Sequence, residues 1–524
     1  MRRHWWAALL ALIGGGCSIG PSYHEPEVAP AGATVGLSPR PDSVRAFYDS
    51  LATADSAAPA APRTLQPDSA DLAWLAILKD STLLGLVNLA VRENRDVQTA
   101  VARIREFRAE VGIAHSPLYP EITANGSAST NQVALGAFEP VGFDALRFTA
   151  DLQWELDFWG RIRQGAQAAN ADLQAQEAAY RATILTLVSD VSNAYLELLE
   201  LAQEEAIAER TLTSRRATLD LARDRFESGV ISELDVRQFE SEVAVPAVAL
   251  AQARRLRSQR EHELATLVGR APFQIPATAN LAEVVQAVQV PDSLPASLLA
   301  RRPDVREAER GYAASVARIG VAEASRFPTF SINGYYGTQS NTLDNLFISQ
   351  TEVYQLQAAV SLPIFTGGRL KNQTRAADAR AEQARLQFEQ TGLQAFREAS
   401  DALVAVRTAR DQRVAQQSQV VALRKAAELA NIRYQGGVAS YLEVLDAERQ
   451  LFSAELGLSQ TQLLELSSAV GLYRALGGSW EVEANGGEGH SVTLSAAKGA
   501  ISSMVPFTAF QGDINAPLAR PSGT

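Results

Sequence analysis

The chain has 524 residues, a formal net charge of −11 and a single cysteine. The acidic balance argues against a nucleic-acid partner, and one cysteine excludes an internal disulfide. With 46% hydrophobic residues it can build a large folded body, yet past its start no run of about 20 apolar residues reads as a membrane-spanning helix.

The first elements are addresses. Arg2 and Arg3 precede an apolar stretch from Trp5 to Ile13, too short to span a bilayer, and then three glycines. Residues 1–16 therefore read as a secretory signal peptide. Cys17 comes directly after these small residues. Its thiol is expected to be alkylated with diacylglycerol, so that Cys17 becomes the lipidated first residue of the mature chain. Gly14 departs from the usual lipoprotein box, which has leucine three residues before the cysteine. Ser18 comes next, not the aspartate that commonly retains lipoproteins in the inner membrane, so outer-membrane sorting is expected. Residues 17–70 read as an extended lipidated segment, with an insert rich in alanine, serine and proline from Pro39 to Pro67.

A tandem repeat organises the body of the chain. Asp96 matches Asp304, a displacement of 208 residues. The same displacement relates Gly112 to Gly320, Pro120 to Pro328, Asn125-Gly126 to Asn333-Gly334 and Gly160-Arg161 to Gly368-Arg369. It still holds for Gly229-Val230 with Gly437-Val438, and for Gly269 with Gly477. One displacement without a gap means two copies of one unit. The first repeat is placed at 71–269, with strands at about 121–132 and 145–157 and a helical hairpin at about 160–268. The second is placed at 270–480, with strands at about 329–340 and 353–365 and a hairpin at about 368–477. Residues 481–524 form a polar tail whose composition suits disorder.

The strands carry a two-residue period. In LRFTADLQWEL, Leu146, Phe148, Ala150, Leu152, Trp154 and Leu156 alternate with Arg147, Thr149, Asp151, Gln153 and Glu155. YQLQAAVSLPI, its repeat partner, keeps the parity. Strands of about 9–11 residues with one apolar and one polar face suit a membrane barrel. Four strands cannot close, and open edges are not tolerated in lipid, so several chains must share one barrel; three would give twelve strands.

The helices are long. Gly160 to Arg225 has no proline, and 1.5 Å per residue predicts about 100 Å. Gly368 to Arg433 repeats this, and helices of such length need coiled packing. Shorter segments, Ser232 to Val268 and Asp304 to Arg326, would stack end to end against a long helix. Gly229 and Gly437 suit left-handed helix ends, and Ser232 with Asp235 and Ser440 with Glu443 read as capping boxes.

LPASLLARRPDVREAERGYAASVARIGVAEASRFPTF, LPIFTGGRLKN, YLEVLDAERQLF and LYRALGGSW resemble the TolC-like outer-membrane efflux channels, in the lipoprotein branch of their multidrug outer-membrane factors. CSIGPSYHEPEV is similar to the mature start of that branch. The resemblance runs from Cys17 to about Trp480. It implies a mainly helical chain with membrane strands, assembled as a homotrimer with a twelve-strand barrel continuous with a periplasmic helical tunnel. An equatorial belt would draw on Asp71–Ala90, Ala271–Ser297 and residues after Trp480. It also implies a periplasmic adaptor and an inner-membrane transporter as partners. The adaptor-contact residues would be Gly229, Val230, Gly437 and Val438 at the hairpin tips. Leu442, Asp446 and Arg449, on one helix face at i, i+4 and i+7, match the family's periplasmic constriction. There Leu442 would form an apolar ring, Asp446 an acidic ring, and Arg449 would tie neighbouring helices.

Three functions compete at this level: a passive exit duct of a tripartite efflux pump; a type I protein-secretion duct of the same fold; and a periplasmic enzyme or structural coiled coil. The lipoprotein-type start and second-copy motifs argue against secretion. Alternating strands argue against a pure coiled coil. The five histidines show no metal spacing, and GxSxG, HExxH, P-loop and GxGxxG motifs are missing, so no enzyme, metal or cofactor is expected.

Overall fold

A computed structural model describes residues 80–133, 141–277, 279–287 and 296–478. The signal segment, Cys17, the Pro39–Pro67 insert and the tail lie outside the described residues. The elements in order are α1 (Ser81–Glu93), α2 (Arg95–His115), β1 (Glu121–Val133), β2 (Val141–Leu156), α3 (Arg161–Glu227), α4 (Glu233–Leu267), α5 (Leu281–Ala287), α6 (Pro303–Ala324), β3 (Thr329–Ser340), β4 (Glu352–Ser361), α7 (Arg369–Gln435) and α8 (Tyr441–Ala475). The long helices α3 and α7 have 67 residues each, and α4 and α8 have 35 each. The two copies thus match residue for residue at both ends of both helices, with the displacement seen in the sequence.

The strands form one antiparallel sheet in the order β1-β2-β3-β4. Its register keeps apolar residues together. Leu152 lies between Ile122 and Gly334, Trp154 opposite Ile332, and Leu156 opposite Phe330, which faces Val360. The other face carries Asp151 between Thr123 and Tyr335, and Asn333 opposite Gln357. The apolar alternation of the last strand continues to Ile364, but its ladder stops at Ser361. Pro363 lies two residues on, and proline has no N–H to donate.

The largest core lies midway along α3. Tyr195, Leu196, Leu198 and Val191 are buried there against Leu86 of α1, Leu264 of α4, Val284 of α5 and Tyr473 of α8. Asp80 caps α1 through the Thr82 amide at 2.8 Å and accepts the Tyr195 hydroxyl at 2.6 Å. The capped end is thereby fixed to the long helix.

The shorter helices stack end to end, but not α4 on α6 as the sequence suggested: within each copy the end of α4 meets the start of α2, and the end of α8 meets the start of α6. Gly269 ends α4 at φ 79°, and a Cβ there would fall 2.4 Å from the Glu93 carbonyl oxygen, so only glycine admits the chain crossing between α1 and α2. Asn94 Nδ2 donates to the Leu267 carbonyl at 2.8 Å, and Arg270 grips Glu93 with two bonds of 2.7 Å. In the second copy Gly477 takes the same place against Arg302. Arg302 Nη1 donates to the Ala475 carbonyl at 2.7 Å. Asn94 and Arg302 are repeat partners, so different side chains satisfy the same orphan helix carbonyl.

Helices also cross between copies. α3 packs along α4 of its own hairpin and along α6 and α8 of the second copy. Glu455 of α8 accepts from Arg210 of α3 at 2.6 Å and Arg424 of α7 at 2.7 Å. None of the described helices is long and apolar enough to cross a membrane.

Candidate channel gate and hairpin tips

Each long helix ends in the same backbone device. Val230 N–H donates to the Arg225 carbonyl and Gly229 N–H to Phe226; Val438 and Gly437 do the same to Arg433 and Tyr434. Both glycines sit at φ near 70°. This is a Schellman ending, which satisfies carbonyls that a helix terminus leaves open. Val230 and Val438 then project into solvent, 70% and 74% exposed. The four residues expected at the tips are therefore presented, not packed.

The starts of the return helices differ. Ser232 and Asp235 close a full capping box. Ser440 makes no side-chain cap. The longer Glu443 reaches across the turn to Arg433 at 3.7 Å, which corrects the capping box expected there.

The tips are joined side by side. Phe239 of α4 packs on Tyr441 of α8, with centroids 4.1 Å apart, and Tyr441 meets Tyr434 of α7 edge-on at 5.3 Å. Arg225 of α3 lies over the Tyr434 ring and donates to its hydroxyl. Burial holds the Tyr441 hydroxyl above its ordinary pKa, so it stays neutral in this contact.

Leu442, Asp446 and Arg449 share one exposed face of α8. Leu442 is 64% exposed. Asp446 and Arg449 do not bond to each other. Asp446 accepts from Gln450 at 2.7 Å, and Arg449 Nε points to Glu242 of α4 at 3.6 Å. Glu242 is also the partner of Arg215 of α3, which is only 4% exposed. Glu448 lies beside this pair. Burial raises its pKa against the pull of Arg215, and the Glu242 carboxylate adds to the rise. The exposed Arg449 thus hangs on a buried ionic cluster spanning three helices. Sequence reasoning missed Arg215 and Glu242. Their repeat partners are Leu423 and Gln450, so charge replacing a neutral residue between copies was the available signal.

A second buried carboxyl lies further along α3. Glu200 is 5% exposed, and its Oε1 has no hydrogen-bond partner. It borders a cavity of about 300 Å³ with Leu256 and Arg260 of α4 and Leu463 of α8. Arg260 is engaged with Glu197 and Glu263, each at 2.5 Å. Burial, with the Glu204 carboxylate one turn away, pushes Glu200 up to about 8. Its folded pKa lies above the unfolded value, so the bound proton favours the folded state. That contribution is complete below about 4.5, is lost as pH rises and is gone above about 8. Glu200→Gln should stabilise the fold at pH 8.5 by on the order of a few kcal/mol, and so raise its unfolding temperature, with little effect at pH 4.5. Thermal unfolding at the two pH values checks this; a pH-independent difference would remove the proton from the account.

A family model described as Outer membrane efflux protein matches residues 86–270 and 294–478. The chain belongs to this family. The two matched segments are themselves related by the repeat displacement, so each covers one copy. The toluene efflux pump outer membrane protein TtgC of Pseudomonas putida is 33% identical over 94% of this chain and 98% of its own. The cation efflux system protein CusC of Escherichia coli is 28% identical over 90% of this chain and 98% of its own. Among solved structures, the outer-membrane channel OprN superposes with a TM-score of 0.73 at 30% identity, over 81% of this chain and 97% of that one. VceC of Vibrio cholerae gives 0.70 at 28% identity, over 79% of this chain and all of that one.

Proposed function

We propose that this chain is the outer-membrane exit duct of a tripartite efflux pump, passively conducting drugs or other small molecules handed over by an inner-membrane transporter and a periplasmic adaptor. The observation that carries the reading is the sheet. Its apolar face runs in register from Leu156 up to Leu146. Ten residue steps at about 3.3 Å, tilted by 35–45°, give an apolar band about 25 Å tall, the height of a barrel's lipid-facing belt. The opposite face is predominantly polar, as a water-filled lumen requires. The outer edges of β1 and β4 have no strand partner among the described residues. In lipid those edges must pair with other copies. A homotrimer with twelve strands satisfies them, and the helices below would continue as the tunnel.

Relatives named as efflux pump components support the adaptor and transporter as partners. The tips Gly229-Val230 and Gly437-Val438 would receive the adaptor, and Leu442, Asp446 and Arg449 would line the constriction. A trimer that resists SDS, sediments with the outer membrane and restores drug efflux to a strain lacking its own duct is the expected result. A monomer in the periplasmic fraction would overturn the reading.

The lipid anchor at Cys17 belongs to the same proposal. Mass spectrometry of the mature chain should find an N-terminal Cys17 carrying a diacylglycerol thioether. An unmodified start at another residue would refute it. Removing the lipid should leave the barrel intact, because the strands carry their own insertion signal.

A further inference from the structure

The loop between β3 and β4 does not follow the polar face of the sheet. At its two ends, Ser340 and Glu352 belong to the same face as Leu146 and Phe148. Phe347 meets Phe148 edge-on, with ring centroids 6.2 Å apart. Phe148 belongs to the apolar face, while its neighbour Arg147 points the other way and lies 4.1 Å over Tyr335. The loop is therefore folded back over the outside of the sheet. Leu346 is buried, as is Ser340 at the end of β3.

Its shape is held by its own polar groups. Thr351 Oγ1 donates to the carbonyls of Leu346 at 3.0 Å and Ile348 at 2.8 Å. Thr342 N–H donates to Ser340 Oγ at 3.2 Å. The backbone is tied internally, and the side chains left outside are large and apolar. Phe347 is 73% exposed, and Leu343 and Ile348 are exposed with it. Asp344 is the one charged residue between Asn341 and Thr351. Such an exposed apolar cluster on an ordered loop is costly in water and marks a contact surface.

We infer that this loop is a membrane-embedded collar whose Leu343, Phe347 and Ile348 insert among the acyl chains of the outer leaflet. The inference rests on the proposed lipid-facing role of the sheet. The occupant is set by continuity, since the cluster extends that apolar face at its Phe148 end. Just beyond Leu146 the face turns polar, where Thr130 donates to Asp144 at 2.8 Å. The loop therefore adds apolar surface where the strands themselves stop supplying it. Its aromatic ring at the band's margin suits the interfacial zone, where aromatic side chains concentrate.

The test places the photo-crosslinker p-benzoylphenylalanine at Phe347 in the full-length channel in cells, with Ile348 as a second position. Leu356, on the sheet's apolar face, and Asp344, on the loop, serve as comparison positions. Irradiation should add the mass of a lipid at 347, 348 and 356, and none at 344. A lipid adduct at 356 with none at 347 and 348 would overturn the collar while leaving the sheet's role intact. A peptide adduct at 347 would also overturn it, by showing that protein covers the loop. No lipid adduct at 356 would overturn the sheet reading and the collar together.

Discussion

Glutamate placed at both Gly229 and Gly437 should abolish efflux and leave the proposed trimer intact. The backbone at the tips is the reason the fold survives. Both glycines have positive φ, and a Cβ at either would meet nothing within 4 Å. A substitution therefore costs only the left-handed conformation, about 1–2 kcal/mol per residue, with no clash to propagate into the helices. The ionic and aromatic contacts joining the tips involve neither residue. What changes is the surface. Val230 and Val438 stand exposed beside each glycine, and the bare backbone allows close approach by a partner helix turn. Six added charges around a trimer would both block that approach and lack partners once desolvated. Drug susceptibility should rise to that of a strain with no channel, while SDS-resistant trimers remain abundant. Asparagine, which tolerates positive φ, should preserve much of the activity. Efflux that survives the double glutamate change would place the adaptor contact elsewhere.

The fold was readable where one rule acts over many residues. The undivided displacement between Asp96 and Asp304, or Gly269 and Gly477, reports two copies because both must close the same contacts. Alternation from Leu146 to Leu156 reports a two-faced strand because side chains there change face at every residue. Family membership was legible for the same reason. Features set by single long-range contacts were not. Asn94 and Arg302 do one job, donating to the carbonyls of Leu267 and Ala475, yet nothing in either residue type announces it. The packing of α3 against α6 and α8 joins one copy to the other, and a periodicity within each copy is blind to it. At the candidate gate, helical spacing placed Leu442, Asp446 and Arg449 on one face, but spacing does not choose partners. It offered Asp446 to Arg449. The folded chain gives Arg449 a nearby carboxylate, Glu242, some two hundred residues upstream.

That choice of partner shapes what the constriction should do. An i, i+3 pair on an exposed helix is worth only about 0.2–0.5 kcal/mol. Arg449 is itself 63% exposed, and at 3.6 Å its link to Glu242 is a weak one. Arg215 keeps Glu242 satisfied when Arg449 leaves. The outer contact can therefore break without exposing an unpaired buried charge, while the inner pair goes on holding α3 to α4. Asp446 stands apart from both arginines and accepts from Gln450, so neither arginine pairs with its carboxylate on the exposed face. Three copies around one axis would set an acidic ring beside an apolar ring of Leu442. Asp446→Ala together with Arg449→Ala should raise single-channel conductance in planar bilayers and weaken cation preference. The two effects separate on single changes. Arg449→Ala alone should raise conductance and keep the preference, since it loosens α8 from α4 and leaves the ring. Asp446→Ala alone should lower the preference, since it removes the ring and leaves the link. Glu242→Gln gives the matching internal check. It weakens the Arg449 contact without touching the ring, at the risk of leaving Arg215 buried with a neutral partner, so its conductance is read together with an unfolding temperature. If conductance and ion selectivity of the double variant match wild type, the constriction is not built from this face of α8.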